Sequence, residues 1–416
     1  MKWFIGVFSL IVFFLPTSKV CSEVVQFQQI SFTTLCENFQ PSISGNGKKV
    51  VFLSDCDIVL GSNIDQNYEV FLYDLDKKTF YQITKTEGQG KNNQPSINYD
   101  GNYVTFRSSA DLVPEKNADG NSEIFLYHTN THHLDQITHS ISPSINSHPI
   151  ISKNARFLVF LSSSKLGGEE EDPESPQVFI YERERKSFSP LTNPVLSPSF
   201  GSLKNHRETH RVGLSKDGTK VLIATSFPHT QDEPLKRSRL SLTLYDLNTK
   251  EAFSINPPEN LGNFGHIHFP PSLNGDGSRG VFLVNQGQPV LDEKKGGDQK
   301  LFLVEIGSSK WASLIEPKNC RIHNPNLSGD GSKVGFSSDC DFLGENEDSG
   351  HPNMEIFTFN TRTKKIRQVT HTIRDFNHTP SMDDSGSRMA FGSDRDIHEG
   401  SNLDENSEIF IAVFNP

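Results

Sequence analysis

Helical periodicity is scarce in this chain, and so are two large residues, with 4 methionines and 2 tryptophans among 416 residues. Beyond its first two dozen residues, no stretch approaches the ~20 consecutive apolar residues that a bilayer-spanning helix needs. No membrane span is therefore expected in the mature chain. Basic excess is missing too: the formal net charge is −11, which excludes the cationic face that nucleic acid requires. Acidity by itself names no partner. The motif search is mostly negative, with no G-x-S-x-G elbow, no H-E-x-x-H, no Walker loop and no C-x-x-C.

What the chain does hold is a repeat. The segment from Pro95 to Thr138 serves as its template. A short strand runs into a tight turn at Asp100-Gly101, where positive-φ positions are needed. The next run alternates, with Val104 and Phe106 on one side and Thr105 and Arg107 on the other, the period of a half-buried strand. A polar loop, the β-rich run Glu123 to His128 and a fourth strand ending in Gln136-Ile137-Thr138 complete an antiparallel sheet. One such sheet cannot bury both of its faces, so it must stack against copies of itself.

Repeat starts fall at Pro41, Pro95, Pro149, Val212, Pro271, Pro325 and Pro380, spaced 54 to 63 residues apart. Four strands per unit at this spacing mark an all-β fold, a seven-bladed β-propeller. The fourth strand is degraded in the fourth and fifth copies, and the seventh copy has none of its own. Gln28-Gln29-Ile30-Ser31 resembles Tyr81-Gln82-Ile83-Thr84, so the N-terminal strand is expected to pair onto the last blade and close the ring. The middle copies depart most from the template. They carry an acidic loop at Gly168 to Asp172, an insertion from Asn193 to His206 and a loop from Pro228 to Arg239 with a basic end.

Residues 1–22 read as a secretory signal: Lys2, an apolar run to Leu15, Pro16, then Val20 and Ser22 at the −3 and −1 positions. The alternative is a retained anchor, for which the run is short; lipidation at Cys21 would have a poor lipobox in Lys19-Val20. Residues 23–416 form the single propeller domain, and the expected location is periplasmic or secreted. Of the cysteines beyond the signal, Cys36 and Cys56 are symmetric about the turn at Asn46, and Cys320 and Cys340 about the turn at Asp330. Residues equidistant from a hairpin turn face each other. The pairing Cys36–Cys56 and Cys320–Cys340 follows, and it suits an oxidising compartment.

Two recurrent features could carry chemistry. The loop before the third strand repeats oxygen-bearing residues at alternate positions, as Asn117, Asp119, Asn121 and Glu123, again at Asn63 to Glu69 and at Asn402 to Glu408. Calcium takes such ligands, while Asn and Asp also cap turns with their own backbone. The second feature is a set of histidines and arginines near the starts of the innermost strands: His148, His210, Arg211, His266, His268, Arg321, His323 and His378. Neutral imidazoles at one channel mouth could take a transition metal, and the arginines could hold carboxylates or sulfates. The competing reading is channel lining.

The motif Pro325-Asn326-Leu327-Ser328-Gly329-Asp330-Gly331, with Pro41-Ser42-Ile43-Ser44, resembles the repeat of TolB-type, WD-repeat-like propellers over nearly the whole mature chain. The resemblance implies a secreted or periplasmic propeller, in most cases a binding scaffold. The α/β domain that precedes the TolB propeller is missing here, and seven blades are expected where TolB has six. Oligogalacturonate lyases, which share the repeat type, bind a metal through funnel histidines; that likeness is an analogy, since no residue-by-residue match exists. The leading expectation is a non-enzymatic scaffold without a cofactor, binding a protein or polysaccharide of the cell envelope. The alternative is a metal-assisted lyase or hydrolase acting on an anionic glycan in the funnel.

Overall fold

The computed structural model describes residues 24–415 except 89, 167–175, 193–208, 228–238, 256–263, 268, 287–297, 345–352, 373–375, 396, 398–401 and 403. The signal segment, the acidic loop, the insertion and nearly all of the loop from Pro228 to Arg239 lie outside the described residues. Seven antiparallel sheets succeed one another along the chain and form a seven-bladed β-propeller. In the first blade, β2 (Asn38–Ile43) is innermost, followed by β3 (Lys49–Ser54), β4 (Glu69–Asp74) and β5 (Thr79–Gln82). The last blade borrows its outer strand from the start of the chain. There β1 (Val24–Gln29) pairs with Glu408–Asn415, from Val24 opposite Asn415 to Gln29 opposite Phe410. Ser31 then does in that blade what Thr84 does in the first: its Oγ accepts the Ile409 N–H at 2.8 Å, as Thr84 accepts that of Val70. The degraded fourth strands of blades four and five still form, at Glu251–Ser254 and Lys310–Ile315.

The alternation read as half-burial needs correction. Val104, Thr105 and Phe106 are all buried, because a neighbouring blade covers each side of the sheet; Thr105 is tolerated there because its hydroxyl donates to the Phe125 carbonyl at 2.8 Å. Phenylalanine fills the middle of most blades as a cross-strand pair on strands two and three. Phe52–Phe71, Phe106–Phe125, Phe160–Phe179, Phe336–Phe357 and Phe391–Phe410 are stacked with centroids 5.6–6.2 Å apart. Each fully buried ring contributes roughly 1.5–3 kcal/mol. The expected disulfides are present, with Cα atoms 5.4 Å apart for Cys36–Cys56 and 5.1 Å for Cys320–Cys340.

A buried glutamate ties blade to blade. Glu123 opens the third strand of blade two and is fully buried. Its Oε1 accepts the Ser140 N–H and hydroxyl, both at 2.7 Å, and its Oε2 accepts the Thr138 hydroxyl and, at 3.0 Å, the Asn146 amide of blade three. Glu69 with Asn92, Glu355 with Asn377 and Glu408 with Asn38 repeat this arrangement. The last of these joins the two ends of the chain.

Two features of the inner strands shape the channel. Proline donates no ladder hydrogen bond, and in five blades the inner strand slips its register around it, as between His378 and Ser381. The preceding residue adopts positive φ: Gln40 52°, Gln94 57°, His148 53°, Asn324 49° and Thr379 47°. Blade four has Val212 in place of proline and keeps an unbroken ladder from Thr209 to Leu214. In blade five, Pro270-Pro271 divides the inner strand into Phe264–Ile267 and Ser272–Leu273.

The second feature lies at the hairpin turns. Backbone hydrogen bonds of 2.5–3.4 Å run from Asn46 to Tyr99, Tyr99 to Lys153, Lys153 to Lys216, Asp217 to Gly275, Gly275 to Gly329, Asp330 to Asp384 and Asp384 to Gly45. Every blade is thereby bonded to the next, and the cycle closes on itself.

Candidate functional site: the axial funnel

A cavity of about 420 Å³ lies on the axis of the ring. A bulge re-aims a side chain, and the residues before the prolines, Gln40, Gln94, His148, Asn324 and Thr379, line this cavity together with Arg211 of blade four. The bulge also frees a backbone N–H, which the preceding blade can satisfy. Gln40 Oε1 accepts the Gln94 N–H at 3.0 Å, and Gln94 Oε1 accepts the His148 N–H at 2.8 Å.

The inner strands run from the face that carries the loops joining strands two and three toward the face that carries the hairpin turns. At the hairpin end the lining residues are Gly45, Tyr99, Lys153, Lys216 and Asp384. The Lys153 ammonium sits 3.8 Å from the centre of the Tyr99 ring and 3.9 Å from the Asp384 carboxylate, so it reaches from blade three to blade seven. Glycine at 45 is required: a Cβ there would stand 2.4 Å from the Tyr99 ring and 2.8 Å from the Asp384 carboxylate. These side chains reach across the hairpin end of the channel and narrow it to a throat, beside which a second, smaller cavity is lined by Gly45, Asn46, Tyr99, Lys153, Asp383, Asp384 and Ser385. Burial raises the Asp384 pKa, while Lys216 and Lys153 pull it back down.

Electrostatically the funnel mouth is cationic on one side. Burial lowers the pKa of His148 to about 4, with Arg211 and then Arg107 adding to the effect. Burial also lowers the values of both arginines. Arg107 is fixed by an Nε hydrogen bond of 2.9 Å to the Ser122 hydroxyl. At neutral pH the lining therefore presents the half-buried guanidinium of Arg211 and the uncharged imidazole of His148, with Arg107 acting on them from behind the lining.

Of the histidines and arginines expected in the funnel, His148, His210 and Arg211 line it; Arg321, His323 and His378 are not among its lining residues. The reason is register. In the bulged blades, residues two before the proline pair with strand two and face along the blade, His323 opposite Ser337 and His378 opposite Gly392; in the unbroken ladder of blade four, His210 opposite Thr225 still borders the cavity. His210 Nδ1 is 2.9 Å from the Thr225 hydroxyl, and His323 packs edge-on against Phe269 with centroids 5.5 Å apart. His378 bonds Thr379 and Ser407 at 2.9 and 3.0 Å. His268 and the side chain of His266 lie outside the described residues. Burial holds His210 and His378 near pKa 4 as well, and it lowers that of His323. Among the described residues, sets of three His, Cys, Asp or Glu ligand atoms within reach of one another occur at the two disulfides alone.

The oxygen-rich loop has its own partners. Asn117 donates to the Ala110 and Asn121 carbonyls, Asn121 donates to the Ser140 carbonyl, and Asp119 accepts the Ser142 N–H. With both oxygens of Glu123 engaged, the buried acceptors left are the Oδ1 atoms of Asn117 and Asn121, beside the exposed Asp119 carboxylate, where calcium takes roughly six to eight oxygens. Sequence reasoning missed Gln40, Gln94, Tyr99, Lys153, Lys216 and Asp384. The two columns that hold them, just before each proline and just before each turn, could have been read off the repeat alignment.

No protein-family model and no curated protein matches the sequence. Solved structures do match by fold. An oligogalacturonate lyase in complex with manganese superposes with TM-score 0.60 at 13% identity, covering 95% of this chain and 94% of that one. The oligogalacturonate lyase of Vibrio parahaemolyticus gives TM-score 0.59 at 13% identity, covering 94% and 98%. TolB of Acinetobacter baumannii gives 0.41 at 13%, covering 90% and 79%. At such identities the likeness concerns the propeller fold, and nothing at the level of sequence singles out the TolB type.

Proposed function

We propose that this protein is an exported, non-enzymatic propeller scaffold that receives an envelope protein or polysaccharide on its loop face, with the funnel mouth as a recognition point. The observation that carries this reading is the dispersal of the imidazoles. His148 and His210 line the channel, while His323 and His378 are turned along their blades toward other partners. A metal site needs several such groups pointing at one place. Two disulfides fit an oxidising compartment, and no described helix is long and apolar enough to cross a membrane.

A second reading, a metal-assisted lyase or hydrolase on an anionic glycan, has one observation in its favour. Arg107 and Arg211 flank His148 and would welcome carboxylates. Elemental analysis of the purified protein, paired with binding assays on envelope extracts, separates the two. The scaffold reading expects no stoichiometric transition metal and a retained partner whose binding weakens in Arg211→Ala. A stoichiometric metal together with cleavage of polygalacturonate would overturn it.

A further inference from the structure

The distribution of exposed apolar side chains is lopsided. Antiparallel blades send the loops between strands two and three, and the connections from blade to blade, to one face, and the hairpin turns to the other. Among the described residues, ten large hydrophobics are exposed, and all but Phe253 lie on the loop face. Phe32 (69% exposed), Leu35 (89%), Leu60 (95%), Ile64 (78%), Ile141 (79%) and Phe376 (58%) lead this set. They follow one arc, from the junction of blades six and seven round to the junction of blades two and three. Hydrogen bonds make the arc continuous. Leu35 N–H donates to Asp404 of the blade-seven loop, Asn67 of the blade-one loop donates to Thr86, and the Ser142 N–H beside Ile141 donates to Asp119 of the blade-two loop. Scattered apolar residues need no explanation, but a grouped set on one face does.

Charge says what covers it. The exposed carboxylates interspersed along the arc include Asp65, Glu87, Asp111, Glu115, Asp119 and Asp404, against exposed Lys85, Lys91 and Lys116. Several of the carboxylates accept backbone N–H groups, such as Asp111 from Glu115, Lys116 and Asn117. Those bonds orient the carboxylate without neutralising it. Burial of this rim against an anionic or purely apolar surface would leave like charges together or unpaired.

We propose that this arc is a docking surface for a protein partner that presents apolar side chains flanked by lysine or arginine. The inference rests on the scaffold reading above and names the partner's chemistry. It is tested with two synthetic amphipathic peptides of identical leucine spacing, one with lysine and one with glutamate on the polar positions, titrated against the purified chain by fluorescence anisotropy. The leucine–lysine peptide is expected to bind at least about tenfold more tightly than its acidic counterpart, with added salt weakening it. Leu60→Asp with Ile64→Asp should lower that affinity at least about tenfold. Both side chains are mostly in water, so the fold should persist, and an unchanged melting temperature checks this. Asp65→Lys with Glu87→Lys provides a second test by narrowing the preference between the peptides. Equal binding of the two peptides, binding unaffected by both double variants, or a self-associated form that Leu60→Asp with Ile64→Asp dissolves would overturn the proposal. Envelope-ligand binding lost in Arg211→Ala, with peptide binding indifferent to the arc variants, would leave the scaffold reading standing and remove this one. Glycan turnover alongside the expected peptide preference would do the reverse.

Discussion

At the scale of single residues, the clearest contrast is between two kinds of buried titratable group. His148, His210 and His378 stay neutral down to about pH 4 in the folded protein, against 6.5 in the unfolded chain. In that window the unfolded state holds more protons, so the stability these histidines contribute is complete above pH ~6.5 and drains away as the pH falls toward 4. Glu69, Glu123, Glu355 and Glu408 act oppositely, since burial raises their pKa. Their contribution is greatest at the acid end and shrinks as the pH rises. The histidines should therefore lower the urea midpoint as the pH falls from about 6.5 toward 4, with the glutamates opposing the fall. His378→Asn should reduce the slope over that interval, and an unaltered slope would show that His378 does not titrate as described. None of this was legible from sequence. Glu123 looked like the start of a strand or a loop ligand because its partners Thr138, Ser140 and Asn146 come from two later segments.

At the scale of strands and turns, the repeat was readable because each unit has the same task. The Asp-Gly turn and the two cysteine pairs report the register of the first hairpin, and both disulfides form as that register requires. Each disulfide closes a separation of 20 residues, for which chain entropy gives about 3 kcal/mol of stabilisation. Cys320→Ser with Cys340→Ser should lower the unfolding free energy from urea titration by an amount of that order without altering the fold. Free thiols in the native protein would contradict the pairing. The bulge before each proline escaped the sequence reading. Alternation predicts which side of an ideal strand a residue takes, and a slip of register redirects it. His148, on the bulge, entered the funnel, while His323 and His378, one residue earlier, were carried to the side of the blade.

At the scale of the whole molecule, ring closure depends on small residues at the throat. A Cβ on Gly329 would stand 2.7 Å from Cβ and 2.8 Å from Cα of Asp384, whose backbone holds two bonds of the girdle. Backbone cannot swing aside, so Gly329→Ala should cost about 1–3 kcal/mol. Gly307→Ala, with nothing within 4 Å, serves as the silent control, and equal midpoints for the two variants would remove the girdle's claim on stability. Seven blades and their closure were evident from the spacing of the repeats. The funnel's shape was not, because its walls take one residue from each blade and no sequence spacing links them.

The hairpin end of the axis has its own chemistry. Lys153 lies between the Tyr99 ring and the Asp384 carboxylate, so a chain lying along the axis would meet a cation, a carboxylate and an aromatic face there. Passage through that end would have to displace the Lys153 contacts, and the movement of Lys153 would be felt at once in blades two, three and seven.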